Sequence, residues 1–332
     1  MNSSFPVAVR LGVALSIVAL QSCSAGSSPL MPASAPSAQF AASHRAVRAA
    51  KGSGERIYVA SYSNSAVLVY GPNLNSPPLR AITTGVAGPL AIALDGHGTL
   101  YVANSGATSS GASSNTVTVY ARGASKPSLT YSGFTYPEGV AVASDGTLYV
   151  ADATGSSGSG VVRVYRNGST APTSSITYHN AFAMGVTVDS HDNLYVSWWA
   201  QVTRQTKVVE YAGGSGSGVN LGLHLPSHAV PSHTIAFDHA GNLVLPVETN
   251  LYGALRPEYL AVFAPGATKP RKLFLGSLAN LVYGVAFPPN DPNTVYITGQ
   301  NSNNFLRLTY PGRQVRDATP VGNATGIVIA GN

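Results

Sequence analysis

Between Ile57 and the C-terminus the chain writes one short apolar word six times, and this repetition restricts the fold more than any other feature. The word reads Ile57-Tyr58-Val59-Ala60, then Leu100-Tyr101-Val102-Ala103, Leu148-Tyr149-Val150-Ala151, Leu194-Tyr195-Val196-Ser197, Leu243-Val244-Leu245-Pro246 and Val295-Tyr296-Ile297-Thr298. Measured at the second residue, successive copies lie 43, 48, 46, 49 and 52 residues apart. A period of about 40–50 residues, built only from short strands and turns, predicts the blades of a propeller.

One copy, Pro137 to Asn180, displays the grammar of a blade. An apolar strand, Gly139 to Ala143, turns at Ser144-Asp145-Gly146 into the repeated word. A third strand, Val161 to Tyr165, and an outer strand ending at Tyr178 complete four antiparallel strands. Gly, Asp and Asn fall where tight hairpins need positive φ, and β-branched and aromatic residues fill the strands. Near-continuous apolar runs suit strands covered on both faces by neighbouring blades. The first copy begins at its second strand. The missing first strand is found at the far end of the chain, as Gly326 to Ala330. The expected fold is therefore all-β: six four-stranded blades over residues 56–332, closed by a C-terminal strand that joins the N-terminal blade and removes two exposed edges.

The Pro-x-Gly-Val-Ala-Val…Asp-Gly-x-Leu-Tyr-Val-Ala-Asp wording of Pro137 to Asp152 resembles the NHL-repeat propellers and the six-bladed gluconolactonase and senescence-marker group. The resemblance covers Ile57 to the C-terminus. It speaks to architecture more than to activity, because the fold hosts unrelated functions. Enzymes of the gluconolactonase group hold a divalent metal through Glu, Asn and Asp on different blades. Streptogramin lyases, another related group, use a His as base near a metal.

In a propeller, ligands sit at the mouth of the central channel. The residues before each first strand, Leu90, Glu138, Met184, His233, Tyr283 and Thr325, are expected to reach it. So are those after each second strand, Ser61, Asn104, Asp152, Trp198, Glu248 and Gly299. Glu138 and His233 are the catalytic candidates, and Glu138, Asp152 and Asn104 the candidate metal ligands. One carboxylate in the first set is few for Ca²⁺, which takes six or more oxygens. Asp152 and Asn104 equally suit turn-capping at strand ends. No cofactor is expected, and Ca²⁺ or another divalent ion in the channel is the alternative. His97, His191 and His239 recur at one hairpin position beside an Asp, which marks turn chemistry. Blades four and five carry the longest departures from the repeat. Trp198, Trp199, Tyr252, Arg256 and Tyr259 are read as one exposed binding face on adjacent insertions, with packing of an irregular blade as the competing account.

Arg10 and an apolar run from Leu11 to Leu20 read as a signal peptide, too short to span a bilayer. Leu20-Gln21-Ser22-Cys23 then resembles the bacterial lipoprotein signal, and Cys23 is the only cysteine. The expected division is a lipoprotein signal over 1–22, a Ser/Ala/Pro-rich tether over 23–55 and the propeller. Ordinary cleavage after Ala25, leaving a secreted protein, is the alternative. The formal charge of +6 is concentrated before the propeller. From Ile57 onward 14 basic residues face 12 acidic ones with no basic run, so nucleic acid is not an expected partner. The reading is a monomeric, non-catalytic recognition or scaffold propeller on the cell envelope, touching the membrane only through its lipid and binding carbohydrate, peptide or protein. A metal-dependent lactonase or related hydrolase is the alternative.

Overall fold

A computed structural model of the protein describes residues 54–331, apart from 107–113, 154–159, 167, 201, 249–257, 276–280, 300–302 and 313. Six antiparallel sheets form, each listed here from its innermost strand outward. Blade one is β25 (Ala324–Ala330), β1 (Arg56–Ser61), β2 (Ala66–Tyr70) and β3 (Arg80–Ile82). Blade two is β4 (Pro89–Leu94), β5 (Leu100–Asn104), β6 (Thr116–Tyr120) and β7 (Leu129–Tyr131). Blade three is β8 (Pro137–Val142), β9 (Leu148–Asp152), β10 (Gly160–Tyr165) and β11 (Ser174–Tyr178). Blade four is β12 (Phe182–Val188), β13 (Leu194–Ala200), β14 (Gln205–Tyr211) and β15 (Val219–Asn220). Blade five has a split inner strand, β16 (Val230–Pro231) and β17 (Ala236–Phe237), then β18 (Leu243–Glu248), β19 (Tyr259–Phe263) and β20 (Arg271–Phe274). Blade six is β21 (Val282–Ala286), β22 (Thr294–Gly299), β23 (Asn304–Thr309) and β24 (Val315–Pro320).

Every repeated word is the second strand of a blade, and the C-terminal strand supplies the inner strand of blade one. It pairs Ile57 with Ile329 and Val59 with Ile327. The apolar runs have a simple cause. Successive side chains of a strand point to opposite faces, so each second strand feeds two cores at once. In β1, Ile57 and Val59 pack toward blade six, while Tyr58 and Ala60 pack toward blade two. Among the described residues a buried apolar cluster fills each of the six blade interfaces. The chain thus buries both faces of its strands by closing a ring.

The hairpins after the inner strands use the turn chemistry read from the sequence. The Asp95 carboxylate accepts the backbone N–H of His97 and Thr99, Asp189 accepts His191 and Asn193, and Asp238 accepts Ala240 and Asn242. The left-handed residue is Gly98, Gly146 or Gly241, and in blade four Asp192 at φ 59°. His97 and His191 are passengers of this turn, whereas Nε2 of His239 lies within hydrogen-bond distance, 2.8 Å, of the Pro288 carbonyl oxygen in blade six.

Glycine is demanded where inner strands crowd the axis. A Cβ on Gly139 would stand 2.5 Å from the Met184 carbonyl oxygen of the next blade, and one on Gly284 2.5 Å from that of Thr325. Both obstacles are backbone, which cannot step aside without opening the ring.

Candidate site at the axial mouth

The inner strands share a defect that aims side chains down the axis. β4 pairs Pro89 with Asn104 and Ala91 with Ala103, which leaves Leu90 as an extra residue. The same one-residue bulge leaves Glu138 extra in β8 and Tyr283 extra in β21. Equivalent irregularities fall between Ala183 and Val186 in β12, around Met184, and between Ala324 and Ile327 in β25, around Thr325. In blade five the break widens to the gap between β16 and β17, and His233 sits in it. Bulges of this kind redirect a side chain and recur beside functional sites. These irregularities hold the first of the two sets of six positions expected from repeat alignment: Leu90, Glu138, Met184, His233, Tyr283 and Thr325.

Four of the six are polar or aromatic, and the ring brings three of them, Glu138, His233 and Tyr283, together. His233 Nδ1 lies 3.2 Å from Oε2 of Glu138, across the channel from blade five to blade three. The His233 ring stacks on Tyr283 of blade six, centroids 4.4 Å apart at 19°. Glu138 and His233 are each 8% exposed. The two facing atoms are off the line of a good hydrogen bond, and neither has another partner among the described residues. A buried donor or acceptor in that condition costs about 1–3 kcal/mol.

Glu248, at the end of β18, is also part of the cluster. Burial, reinforced by the negative charge of Glu258 and then Glu138, pushes its carboxyl well above the ordinary range. Burial raises the Tyr283 phenol too, and Glu248, Glu138, Tyr136 and Tyr62 add to the effect. The Tyr136 phenol moves the same way, from burial first and then the charge of Glu138. Sequence reading missed Tyr62 and Tyr136. Tyr62 lies one place after Ser61 and Tyr136 two places before Glu138, so both fall just outside the positions surveyed.

The other candidates have structural employment. Asp152 accepts the backbone N–H of Thr135 (2.9 Å) and Tyr136 (2.7 Å) and receives both Nε and Nη2 of Arg163 at 3.0 Å. Asn104 accepts the N–H of Ala87 at 2.9 Å and donates to Thr118 Oγ1 and to backbone carbonyls. Both residues latch the loop that leads into their own inner strand, the turn-capping role foreseen as the competing account. They do not fit a metal: their oxygens are already bonded, and no group of three His, Cys, Asp or Glu stands close enough to hold an ion among the described residues.

The exposed aromatic face is corrected for the tryptophans. Trp198 is 0% exposed and Trp199 3%. The sequence was read as ending the strand at Ser197, but β13 runs on to Ala200, pairing Trp198 with Ala183 and Lys207. High β-propensity carries the two aromatics into the sheet, and alternation sends them to opposite interfaces. Trp198 stacks on Tyr178 (5.4 Å, 28°) in the core between blades three and four. Trp199 packs with Met184 and with Val230 of blade five. Tyr259 is buried in β19, in the core between blades four and five. Tyr252 and Arg256 lie outside the described residues.

An NHL-repeat family model matches residues 134–161, the heart of blade three. No curated protein matches the chain. Among solved structures, hydrazine synthase of Kuenenia stuttgartiensis is 15% identical, with 82% of this chain and 85% of that one aligned at a TM-score of 0.58. A protein of unknown function from Bacteroides caccae is 12% identical over 84% and 99% of the two chains, TM-score 0.59. A putative 6-phosphogluconolactonase from Bacteroides fragilis is 11% identical over 85% and 99%, TM-score 0.55. Likeness at such identities reaches the fold and no further: the chain is a six-bladed β-propeller with an NHL repeat in its third blade.

Proposed function

We propose that this chain is an exported recognition propeller that holds a small polar ligand at its axial mouth without transforming it. The observation that carries the reading is the Glu138–His233 pair: two buried polar side chains, placed by irregularities in inner strands of different blades, whose facing atoms lack good partners. Evolution of a packing core would fill such positions with apolar residues, as Leu90 and Met184 do in other blades. Polar side chains left short of partners where inner strands of different blades meet are what a ligand completes.

The test is a thermal-shift and titration screen of the full chain against sugars, amino acids, short peptides and amines. A hit should lose at least roughly tenfold in affinity in His233→Ala or Glu138→Gln, equivalent to about 1.4 kcal/mol. Hits indifferent to both changes would remove the mouth as the site. Turnover of a lactone panel that EDTA abolishes would replace this reading with the metal-hydrolase one.

Export rests on the segment around Cys23. Labelling with a radioactive fatty acid should mark the wild-type chain and leave Cys23→Ala unmarked and released from the membrane fraction. Membrane retention of the Cys23→Ala protein would end the lipoprotein assignment.

A further inference from the structure

Resting on the recognition reading above, we infer that the ligand of the axial mouth is an organic cation, a small molecule bearing an ammonium group. The charge environment points this way. Among the described residues every charge acting on Glu248 is negative, that of Glu258 first and then Glu138, and the Glu258 carboxylate itself accepts the N–H of Leu281 and Val282. Among the described residues the groups acting on Tyr283 and Tyr136 are likewise all acidic. Arg163 of blade three brings no free charge. It is neutralised by Asp152 at 3.0 Å and lies over the Phe134 ring. An anionic ligand would meet repulsion from Glu138, and a neutral polyol would bring its Oε2 no charged donor.

The walls agree with the charge. The stacked pair His233 and Tyr283 presents flat rings beside the carboxylates, and Tyr136 and Tyr62 are near enough to act on Tyr283. Aromatic faces with carboxylates behind them are the surroundings in which an ammonium group is held once desolvated. The second, independent sign is Oε2 of Glu138. Its side chain is 10% exposed, and the oxygen has no good hydrogen-bond donor among the described residues. A carboxylate oxygen in that state wants a donor, and an ammonium carries up to three.

A proton should accompany the ligand. Burial first, then the charges of Glu258 and Glu138, push the Glu248 carboxyl well above the ordinary carboxylate range, and Glu248 in turn acts on the Tyr283 phenol. An ammonium group beside Glu248 favours the carboxylate. Binding then draws Glu248 toward the carboxylate of a carboxylate–ammonium pair, and whatever proton it carried leaves for solvent. Because the complex carries fewer protons than its parts, affinity must rise with pH.

The experiment is calorimetric titration of the full chain with choline, n-butylamine and putrescine, alongside glucose and gluconate as neutral and anionic arms. Each is run in two buffers of different ionisation enthalpy, from about pH 6 to about pH 8. The expected result is binding of at least one amine, release of up to one proton, and affinity that tightens as pH rises. Glu138→Gln should weaken the amine at least roughly tenfold, and Glu248→Gln should abolish the buffer-dependent heat. The wild-type buffer series needs no variant, so a misfolded mutant does not blunt the test. Glucose or gluconate binding at a His233-sensitive site, with no amine bound, would overturn the cation inference and leave the recognition reading standing. Absence of binding by every amine up to about 10 mM would also overturn it.

Discussion

A chain ending at Asn323 should have no cooperative unfolding transition. Residues 324–332 contain β25, the inner strand of the first blade, and its loss does three things together. It strips β1 of its ladder, so Ile57, Tyr58 and Val59 lose the partners Ile329, Val328 and Ile327. It removes Ile327 from the core between blades six and one, and Val328 and Ala330 from the surface packed between blades one and two. It also deletes Thr325, whose hydroxyl donates to the Pro89 carbonyl at 2.6 Å and whose own carbonyl accepts from the Thr298 hydroxyl. Truncating one buried Ile to Ala costs about 2–5 kcal/mol. Removing a whole inner strand therefore meets or exceeds the roughly 5–15 kcal/mol that holds a domain folded. Thermal circular dichroism of the truncated and full chains decides the matter. A sharp transition within a few degrees of the full chain would show that closure through β25 is dispensable.

Trp198→Ala should lower stability by about 3–5 kcal/mol, the usual cost of emptying a buried aromatic site. The indole is fully buried, stacked on Tyr178, and shares its cluster with Tyr149, Val162 and Val164 of blade three and Val196 and Val209 of blade four. These neighbours belong to two sheets held at fixed spacing by the ring, so they cannot collapse into the void. Urea titration of Trp198→Ala against Trp198→Phe separates the cavity from any specific role of the indole, since Phe retains a ring to stack on Tyr178. A midpoint shift for the alanine variant no larger than that of a surface substitution would place Trp198 outside the core. Ligand affinity at the axial mouth should be unchanged where the variant remains folded.

The position of His233 shows where sequence reading works and where it stops. Its repeat slot was legible, because strand words and Asp/Gly hairpins recur and each copy can be aligned on the others. The widened break that holds it was not. Thr234 to Phe237 reads as a strand like its counterparts, whereas the structure keeps only Ala236–Phe237 and Val230–Pro231 paired. Across the break the Ser232 and Thr234 hydroxyls donate to the Tyr283 carbonyl of blade six, 51 and 49 residues away, bonds that no single repeat announces.

Asp152, Asn104 and the tryptophans teach the converse lesson. A carboxylate or amide at a strand end reads alike as ligand or latch, and the loop N–H groups that claim Asp152 and Asn104 become visible only when the chain is folded. Two aromatics after a strand read alike as an exposed insertion or as more strand. Burial between blades decided that Trp198 and Trp199 are core.

By itself the sequence determined the repeat, the six blades, the closing strand and the residues that occupy the inner-strand bulges, because these follow from local strand and turn chemistry copied at a near-constant period. Only the tertiary structure decided which of those positions meet. Glu138 and His233 stand 95 residues apart in the chain and 3.2 Å apart across the channel. The cause is ring closure, which sets the channel's width and the facing of its bulges through contacts among all six blades, and no single repeat carries that information.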